Sequence, residues 1–173
     1  MPLVLVGANV EGKPNFMPAA FVGIANFKPP VIGCGLSPSH LTAQAIERDR
    51  AFSINIPSAE QVVVTDYCGL HSGKQVDKSD LFETFTGTLE SAPMIRSCRL
   101  TAECRLIQTI VYAVDTLFLG EVVSVYADEE ILVDDKPDWS KVAPLLFTFP
   151  DGNYWNLGGQ VAKAWNVGRQ YAK

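Results

Sequence analysis

The stretch DYCGLHSGKQVDK, residues 66–78, concentrates side chains that can react or bind a ligand. Cys68 and His71 are close enough in sequence to suggest a thiolate–imidazole pair, which cysteine nucleophiles use. Ser72, the glycine-flanked amides and the two lysines offer instead the directed donors and positive charge that a phosphate requires. Cys68 falls at the C-terminal end of a predicted helix, where the helix dipole disfavours a thiolate. The sequence therefore favours an anion-binding loop over a nucleophile.

A second group of donors occurs in SPSHLT, residues 37–42, immediately before a predicted helix. The free amides of a helix N-terminus carry partial positive charge, which favours a bound phosphate. The side chains that could join them are Ser37, Ser39, His40 and Thr42. A simpler interpretation is a helix cap formed by Ser39 or Ser37, with Pro38 in the first turn. The residues alone leave both interpretations open.

The elements that must position these two segments are mostly strands. Residues 2–36 predict three successive strands, with glycines where the backbone passes close to another group. The spacing of apolar residues then changes to that of a helix, and residues 37–52 predict an amphipathic helix. After a short strand, Ser58 and Gln61 have the spacing of a capping box for a helix that runs towards Gly69.

The second half of the chain has the residue pattern of β-structure. Residues 100–114 and 116–128 are long β-branched runs that predict a hairpin. The remaining predictions are an acidic surface loop at 128–138, a strand at 142–149, an aromatic turn at 152–159 and a helix or loose arm at 161–173. Six or seven strands with two or three short helices, in an order that is not βαβαβ, favour a mainly β, antiparallel barrel. We expect one domain over residues 1–173.

Composition and charge exclude several classes of protein. With 47% hydrophobic and 19% charged residues, the chain is globular rather than disordered. A formal net charge of −5 argues against a nucleic-acid-binding protein. No apolar run approaches the ~20 residues that span a bilayer, and the N-terminus lacks secretory features, so we expect a cytoplasmic protein without membrane association. Rossmann and P-loop glycine motifs are also absent from the sequence.

The four cysteines give little support for a metal site. None forms a CxxC pair, and two histidines offer few further zinc ligands. Cys98 and Cys104 would share one face of a straight strand but lie too far apart for a disulfide. Small, reduced and buried side chains are the simpler interpretation of all four.

Six motifs occur in one order over roughly residues 2–160: PNFMPAA, SPSHLT, FSINIP, DYCGLHSGKQVDK, TLFLGEVV and YWNLGG. Together they resemble the flavoredoxin-type, flavin reductase-like family of FMN-binding split β-barrels. The resemblance implies FMN as the cofactor and electron transfer as the activity. The electron donor would be NAD(P)H, as in a flavin reductase, or a redox protein, as for an electron carrier. It also implies a homodimer with the flavin near the interface.

The resemblance implies binding roles for particular residues. The isoalloxazine ring would be lined, largely by backbone groups, by Asn15, Phe16, Met17, Pro18 and Ala19. The phosphate or ribityl chain would be bound by Ser37, His40 and Thr42, with Ser39 as a neighbour and Asn55 near the ring or ribityl side. The loop residues that would close over the phosphate are Ser72, Gly73 and Lys78. Two aromatic residues would pack beside the flavin, from the same or the partner subunit: Tyr154 and Trp155.

Two residues depart from the pattern of the family. Pro18 stands where many members have threonine, which removes a hydroxyl and an N–H from the ring side. His40 stands where many have arginine, so any phosphate contact there would weaken as pH rises. No catalytic triad is expected, because flavin chemistry belongs to the cofactor. The alternatives are a flavin-free binding or structural barrel, or a thiol-redox protein that uses Cys98 and Cys104.

Overall fold

Strands dominate the computed structural model, which describes residues 1–171. In chain order the strands are β1 (Val4–Val10), β2 (Lys13–Ala19), β3 (Val22–Asn26), β4 (Val31–Leu36), β5 (Ala51–Asn55), β6 (Thr84–Phe85), β7 (Met94–Ile95), β8 (Leu100–Val111), β9 (Thr116–Ala127), β10 (Leu132–Val133), β11 (Lys136–Pro137), β12 (Leu145–Thr148) and β13 (Asn153–Asn156). The α-helices are α1 (Leu41–Asp49), α2 (Val62–Leu70) and α3 (Trp139–Val142).

Seven of these strands form one antiparallel sheet in the order β2-β1-β5-β8-β9-β4-β3. The predicted hairpin is confirmed as β8 and β9, which pair from Leu100 opposite Ala127 to Val111 opposite Thr116. The mainly β, antiparallel split barrel with three short helices is therefore as predicted. Strand β2 lies at one edge of the sheet, and this position matters for the site described below.

The prediction of three strands in residues 2–36 is wrong, because four strands form there. The run taken as a single extended segment breaks after Ala20, and its halves go to opposite edges of the sheet: β2 pairs with β1, and β3 pairs with β4. The break falls at Ala20 and Phe21, and neither is a glycine or a proline that would signal it in the sequence.

Two apolar clusters pack on opposite faces of β1. Val4, Val6 and Ala8 belong to the main core, which also contains Ile46 of α1 and Phe118 of β9. The neighbouring Leu5 belongs to a second cluster with Phe16, Cys68, Ile95 and Cys98. This alternation follows from the two-residue period of a strand. As a result, α1 and α2 cover opposite faces, and their ends approach each other around edge strand β2.

The capping box at the start of the second helical segment is confirmed. The backbone amide of Ser58 donates to the Gln61 side chain at 2.9 Å, and the reciprocal bond of the box is also present. Residues Ala59–Gln61 form a single 3-10 turn that leads directly into α2. This arrangement satisfies the amides that the start of a helix leaves without partners.

Glu103 is a fully buried carboxylate on β8. It accepts hydrogen bonds from the amides of Thr88 and Leu89, at 3.0 and 2.7 Å, and from the Tyr126 hydroxyl at 3.0 Å. Burial acts to raise the pKa of Glu103, but these donors together outweigh burial and hold the pKa below its ordinary value. A side chain at Gly87 would collide with the Tyr126 hydroxyl. Glu103 thus fastens the loop before β7 to the sheet.

Two predictions for the last third of the chain need correction. Residues 152–159 are not simply an aromatic turn, because Asn153–Asn156 form β13, which pairs with β12 after a turn at Gly152 (φ 67°). The acidic segment 128–138 lies at the surface as predicted, but it contains a 3-10 turn and the β10–β11 hairpin, with Ile131 fully buried.

Residues 157–171, here called the C-terminal tail, are all exposed. Of the two predicted alternatives the described part forms an exposed arm, with a 3-10 turn at Val167–Tyr171 in place of an amphipathic helix. Residues 172 and 173 lie outside the described part of the chain. None of the helices within residues 1–171 is long and apolar enough to cross a membrane.

Candidate functional site

A cleft of about 300 Å³ opens along β2, where the first turn of α1 meets the C-terminal end of α2. Three segments line it, with Asn15, Met17 and Pro18 from β2, His40, Leu41 and Thr42 from the start of α1, and Cys68, Gly69, Leu70, His71, Ser72, Gly73, Gln75 and Lys78 from α2 and the following loop. A second cleft of about 500 Å³ shares Asn15, Leu41, Gly73, Gln75 and Lys78 with the first. The structure therefore brings together both segments in which the sequence indicates an anion site.

The start of α1 leaves backbone donors free beside this cleft. The serine caps proposed from the sequence are wrong: His40 is the N-cap residue, without a side-chain capping bond, and Pro38 precedes the helix. Ser37 and Ser39 instead bond to each other, with 2.9 Å between their hydroxyl oxygens. Within residues 1–171 the amides of Leu41, Thr42 and Ala43 donate to no acceptor. Such unpaired first-turn amides can bind an anion.

Asn15 and Thr42 join β2 to α1 at the wall of the cleft. The Asn15 amide nitrogen donates to the Thr42 hydroxyl at 2.8 Å, and both side chains are buried. Gly73 packs against the same amide group, because a Cβ placed on it would lie 2.7 Å from the Asn15 oxygen. Three distant segments thus meet at one point, and a side chain at position 73 would disturb all three.

Lys78 lies deep on the β2 side of the cleft, with 4% of its surface exposed. Its ammonium donates to the carbonyls of Phe16 at 3.1 Å and Cys68 at 2.8 Å. Burial lowers the pKa of Lys78. Among residues 1–171 it forms no ion pair with a carboxylate. The cleft therefore contains a buried positive charge that no acidic side chain neutralises.

The loop that follows α2 is held in a defined shape. The Ser72 carbonyl accepts from the amides of Gln75 and Val76, and its hydroxyl accepts from the amide of Lys74 at 3.3 Å. Asp77 pairs with Lys13 of β2, which lowers the pKa of Asp77. The ion pair between Lys13 and Asp77 thus ties the loop to β2.

A nucleophilic Cys68–His71 pair is not formed. Cys68 is 2% exposed, and burial raises the pKa of its thiol despite the nearby Lys78 ammonium. The partner of His71 is Tyr67: the rings stack with centroids 4.1 Å apart, and Nδ1 lies 3.1 Å from the Tyr67 carbonyl oxygen. The thiol therefore stays protonated and packs in the core.

The other thiol hypothesis also fails. Cys98 precedes β8 and packs in the second apolar cluster, whereas Cys104 lies on β8 in the main core. Burial raises the pKa of each thiol to about 12. All four cysteines are buried and unpaired within the described residues. No group of three possible metal ligands occurs in residues 1–171.

Three residues assigned to the ring or its surroundings lie in the core and do not line the cleft: Phe16, Ala19 and Asn55. Asn55 has no exposed surface, and its amide donates to the Leu5 carbonyl and accepts from the Ile95 amide at 2.8 Å. Its side chain connects β1, β5 and β7. Phe16 packs edge-to-face on Phe82, so only its carbonyl takes part in the cleft, through Lys78.

Tyr154 and Trp155 lie on β13 and also stay outside the cleft. The Tyr154 hydroxyl donates to Asp66 of α2 at 2.7 Å, and burial together with this carboxylate raises the pKa of Tyr154 to about 12. The Trp155 indole donates to the Thr148 hydroxyl at 3.0 Å. Tyr154 therefore fixes β13 to the helix whose end lines the cleft.

Sequence reasoning missed six cleft residues: Leu41, Cys68, Gly69, Leu70, His71 and Gln75. A usable signal existed, because each directly adjoins a predicted binding segment or lies within it.

Comparison with known proteins agrees with this architecture. The flavin reductase like domain family matches residues 1–153. Flavoredoxin from Methanosarcina acetivorans is 44% identical, with a TM-score of 0.97 over 99% of this chain and 92% of that one. Flavoredoxin of Desulfovibrio vulgaris (Miyazaki F) is 36% identical, with a TM-score of 0.90 over 96% and 92% of the two chains.

A third similar structure is an FMN-binding protein from Thermus thermophilus, which is 27% identical with a TM-score of 0.81 over 94% of this chain and 89% of that one. The family match extends over most of the sequence and contains every element that lines the cleft. The chain belongs to the flavin reductase like domain family.

Proposed function

We propose that the chain binds FMN in the cleft beside β2 and transfers electrons through it. The observation that carries this proposal is the convergence of Asn15, Thr42, Gly73 and Lys78, from three separate segments, on one partly polar cavity. Family membership and the similarity to two flavoredoxins and an FMN-binding protein support the same cofactor.

The residues present fit an FMN molecule. The two adjoining clefts, about 300 and 500 Å³, are in the size range of small-molecule sites. Met17, Pro18 and Leu70 offer apolar surface for a flat ring. The free amides at the start of α1 offer donors for a phosphate. The neighbouring Thr42 hydroxyl accepts a hydrogen bond from the Asn15 side-chain amide.

Each part of the site would have a distinct task. The first turn of α1 and the loop at Ser72 and Gly73 would hold the phosphate and ribityl chain. Lys78, bonded to the Phe16 carbonyl, would place its charge near the ring, closer to β2 than the sequence suggested. Bound FMN supplies transfer of one or two electrons, and the protein fixes its orientation and surroundings.

Two experiments test this function. Purified protein, or apoprotein mixed with FMN, should show a flavin absorption spectrum shifted from that of free FMN. Protein that neither carries nor takes up flavin would contradict the proposal. Anaerobic addition of NADH and then NADPH decides the electron donor: rapid bleaching by either supports a reductase, and bleaching only by a reduced redox protein supports an electron carrier.

Gly73→Ala should weaken FMN binding about tenfold. The new Cβ would lie 2.7 Å from the Asn15 oxygen and 3.4 Å from a Leu41 methyl group. Moving Asn15 would break its bond to Thr42, a loss of about 1–1.5 kcal/mol, or roughly tenfold in affinity. Gly159→Ala is the matched control, since a Cβ there meets nothing within 4 Å. Equal dissociation constants for the two variants, measured by fluorescence titration, would exclude this geometry.

We also propose that the protein forms a homodimer, as expected from the resemblance. Edge strand β3 and its flanks carry exposed apolar side chains: Phe21, Ile24 and Phe27 are 56%, 75% and 89% exposed. An unprotected apolar edge strand favours association with another chain. A monomer at micromolar concentration in analytical ultracentrifugation would contradict this proposal.

A further inference from the structure

The outer side of α2 carries an apolar groove. Five residues line this α2 groove, about 380 Å³ in volume: Glu60, Val63, Val64, Tyr67 and Leu81. The Val63 side chain is 80% exposed. A helix in a globular protein normally turns such residues towards a core. The outer face of α2 is therefore a candidate for a contact with another polypeptide.

The C-terminal tail carries large apolar side chains that contact almost nothing. Val161 is 99% exposed, Trp165 is 96% exposed and Tyr171 is 88% exposed. Val161 and Trp165 are four residues apart, so on a helical turn they would lie on one side. Aromatic anchors of this kind contribute most when they are buried at the centre of an interface. The tail thus has the composition of a docking segment, and its largest apolar side chains are not buried against its own chain.

The charges of the two features are complementary. After Asp151 the sequence contains no acidic residue, and the tail contains Lys163 and Arg169. The α2 groove contains Glu60, and Asp80 next to Leu81 is exposed. Opposite charges at the edge of an apolar contact fix its register and speed its formation. By contrast, the exposed apolar edge at β3 ends beside Lys28, which would repel the tail.

We propose that the C-terminal tail of one copy docks in the α2 groove of a second copy, with Val161 and Trp165 as its apolar anchors. The position of the tail argues for exchange between copies. Tyr154 bonds to Asp66, so β13, which leads into the tail, is fixed to the α2 of its own chain. The apolar side chains of the tail nevertheless remain exposed, and so does Val63 in the groove. This contact needs no flavin and is separate from the FMN site.

Cross-linking of the full-length protein tests the contact directly. A photoreactive benzophenone amino acid replaces Trp165, and copies with ordinary and heavy nitrogen are mixed before illumination. We expect cross-linked peptides that join position 165 to residues 60–67 or Leu81 and that pair the two isotopes. Cross-links within one isotope only, cross-links to another surface, or none at all would overturn the proposal.

Proteolysis gives an independent measurement with a matched control. Docking should shield Lys163 from trypsin, and Val63→Lys should expel the basic tail. Cleavage after Lys163 should then be about tenfold faster than in the native protein, because it follows the population of the open form. Val114→Lys makes the same change at a 77% exposed valine between β8 and β9 and should leave the rate unchanged. Equal rates in all three proteins would contradict docking, whatever the flavin spectrum shows.

Discussion

Lys78→Met should weaken FMN binding about 100-fold, because a buried charge that contacts a ligand contributes about 2–3 kcal/mol. The side chain is 4% exposed, and its ammonium donates to the Phe16 and Cys68 carbonyls. Those carbonyls orient the charge without neutralising it. The carbonyl oxygens and ring nitrogens of a bound flavin would therefore meet a positive charge that no carboxylate offsets, and such attraction is strong at a mostly buried group.

Fluorescence titration of the apoprotein with FMN measures this loss. Lys136→Met is the control: Lys136 is exposed on β11 and lines neither cleft, so its removal should change the affinity less than twofold. Circular dichroism shows whether each variant keeps the native fold. A folded Lys78→Met variant whose dissociation constant stays within twofold of the native value would refute the role of Lys78.

Glu103→Gln should lower the free energy of unfolding by about 3 kcal/mol, since it disturbs a buried carboxylate that accepts several hydrogen bonds. The amide that replaces the carboxylate would direct an N–H towards the donors from Thr88, Leu89 and Tyr126. For a chain of this length the loss corresponds to a melting temperature lower by roughly 6–12 °C. Urea unfolding at neutral pH measures it.

The pH dependence provides a second check on Glu103. Its pKa is lowered in the folded state, so its stabilisation is complete above the unfolded-state value near 4.5 and is lost as pH falls through the lower folded value. In acid, the free energies of unfolding of the native protein and of the Glu103→Gln variant should therefore become similar. Glu90→Gln, an exposed position in the loop that Glu103 fastens to the sheet, should be neutral throughout. An equal loss in both variants would show that the carboxylate is not the cause.

The features that the sequence predicted correctly depend on local patterns. The β8–β9 hairpin follows from two long β-branched runs, and the capping box follows from the spacing of Ser58 and Gln61. The two segments that meet at the cleft could be singled out because glycine, hydroxyl and basic residues cluster within a few positions. Each of these signals can be read inside a short window, whatever the rest of the chain does.

The features that were missed depend on contacts between distant residues. Asn15 meets Thr42 across 27 positions, and Lys78 meets the Phe16 carbonyl across 62. No spacing rule shows that the Lys78 ammonium would turn inward, or that Asn55 would use its amide to join three strands. Likewise β13 exists because β12 supplies its hydrogen-bond partners, so its composition alone resembled a turn.

Helix α2 has neighbours on two sides: its last turn borders the cleft, and its outer side forms the groove assigned to a second copy. A shift of one helix changes both surroundings together. If docking of the tail shifts α2, occupancy of the cleft and association of the copies are thermodynamically linked, and each alters the equilibrium constant of the other by the same factor. Cofactor uptake by this protein would accordingly depend on its own concentration.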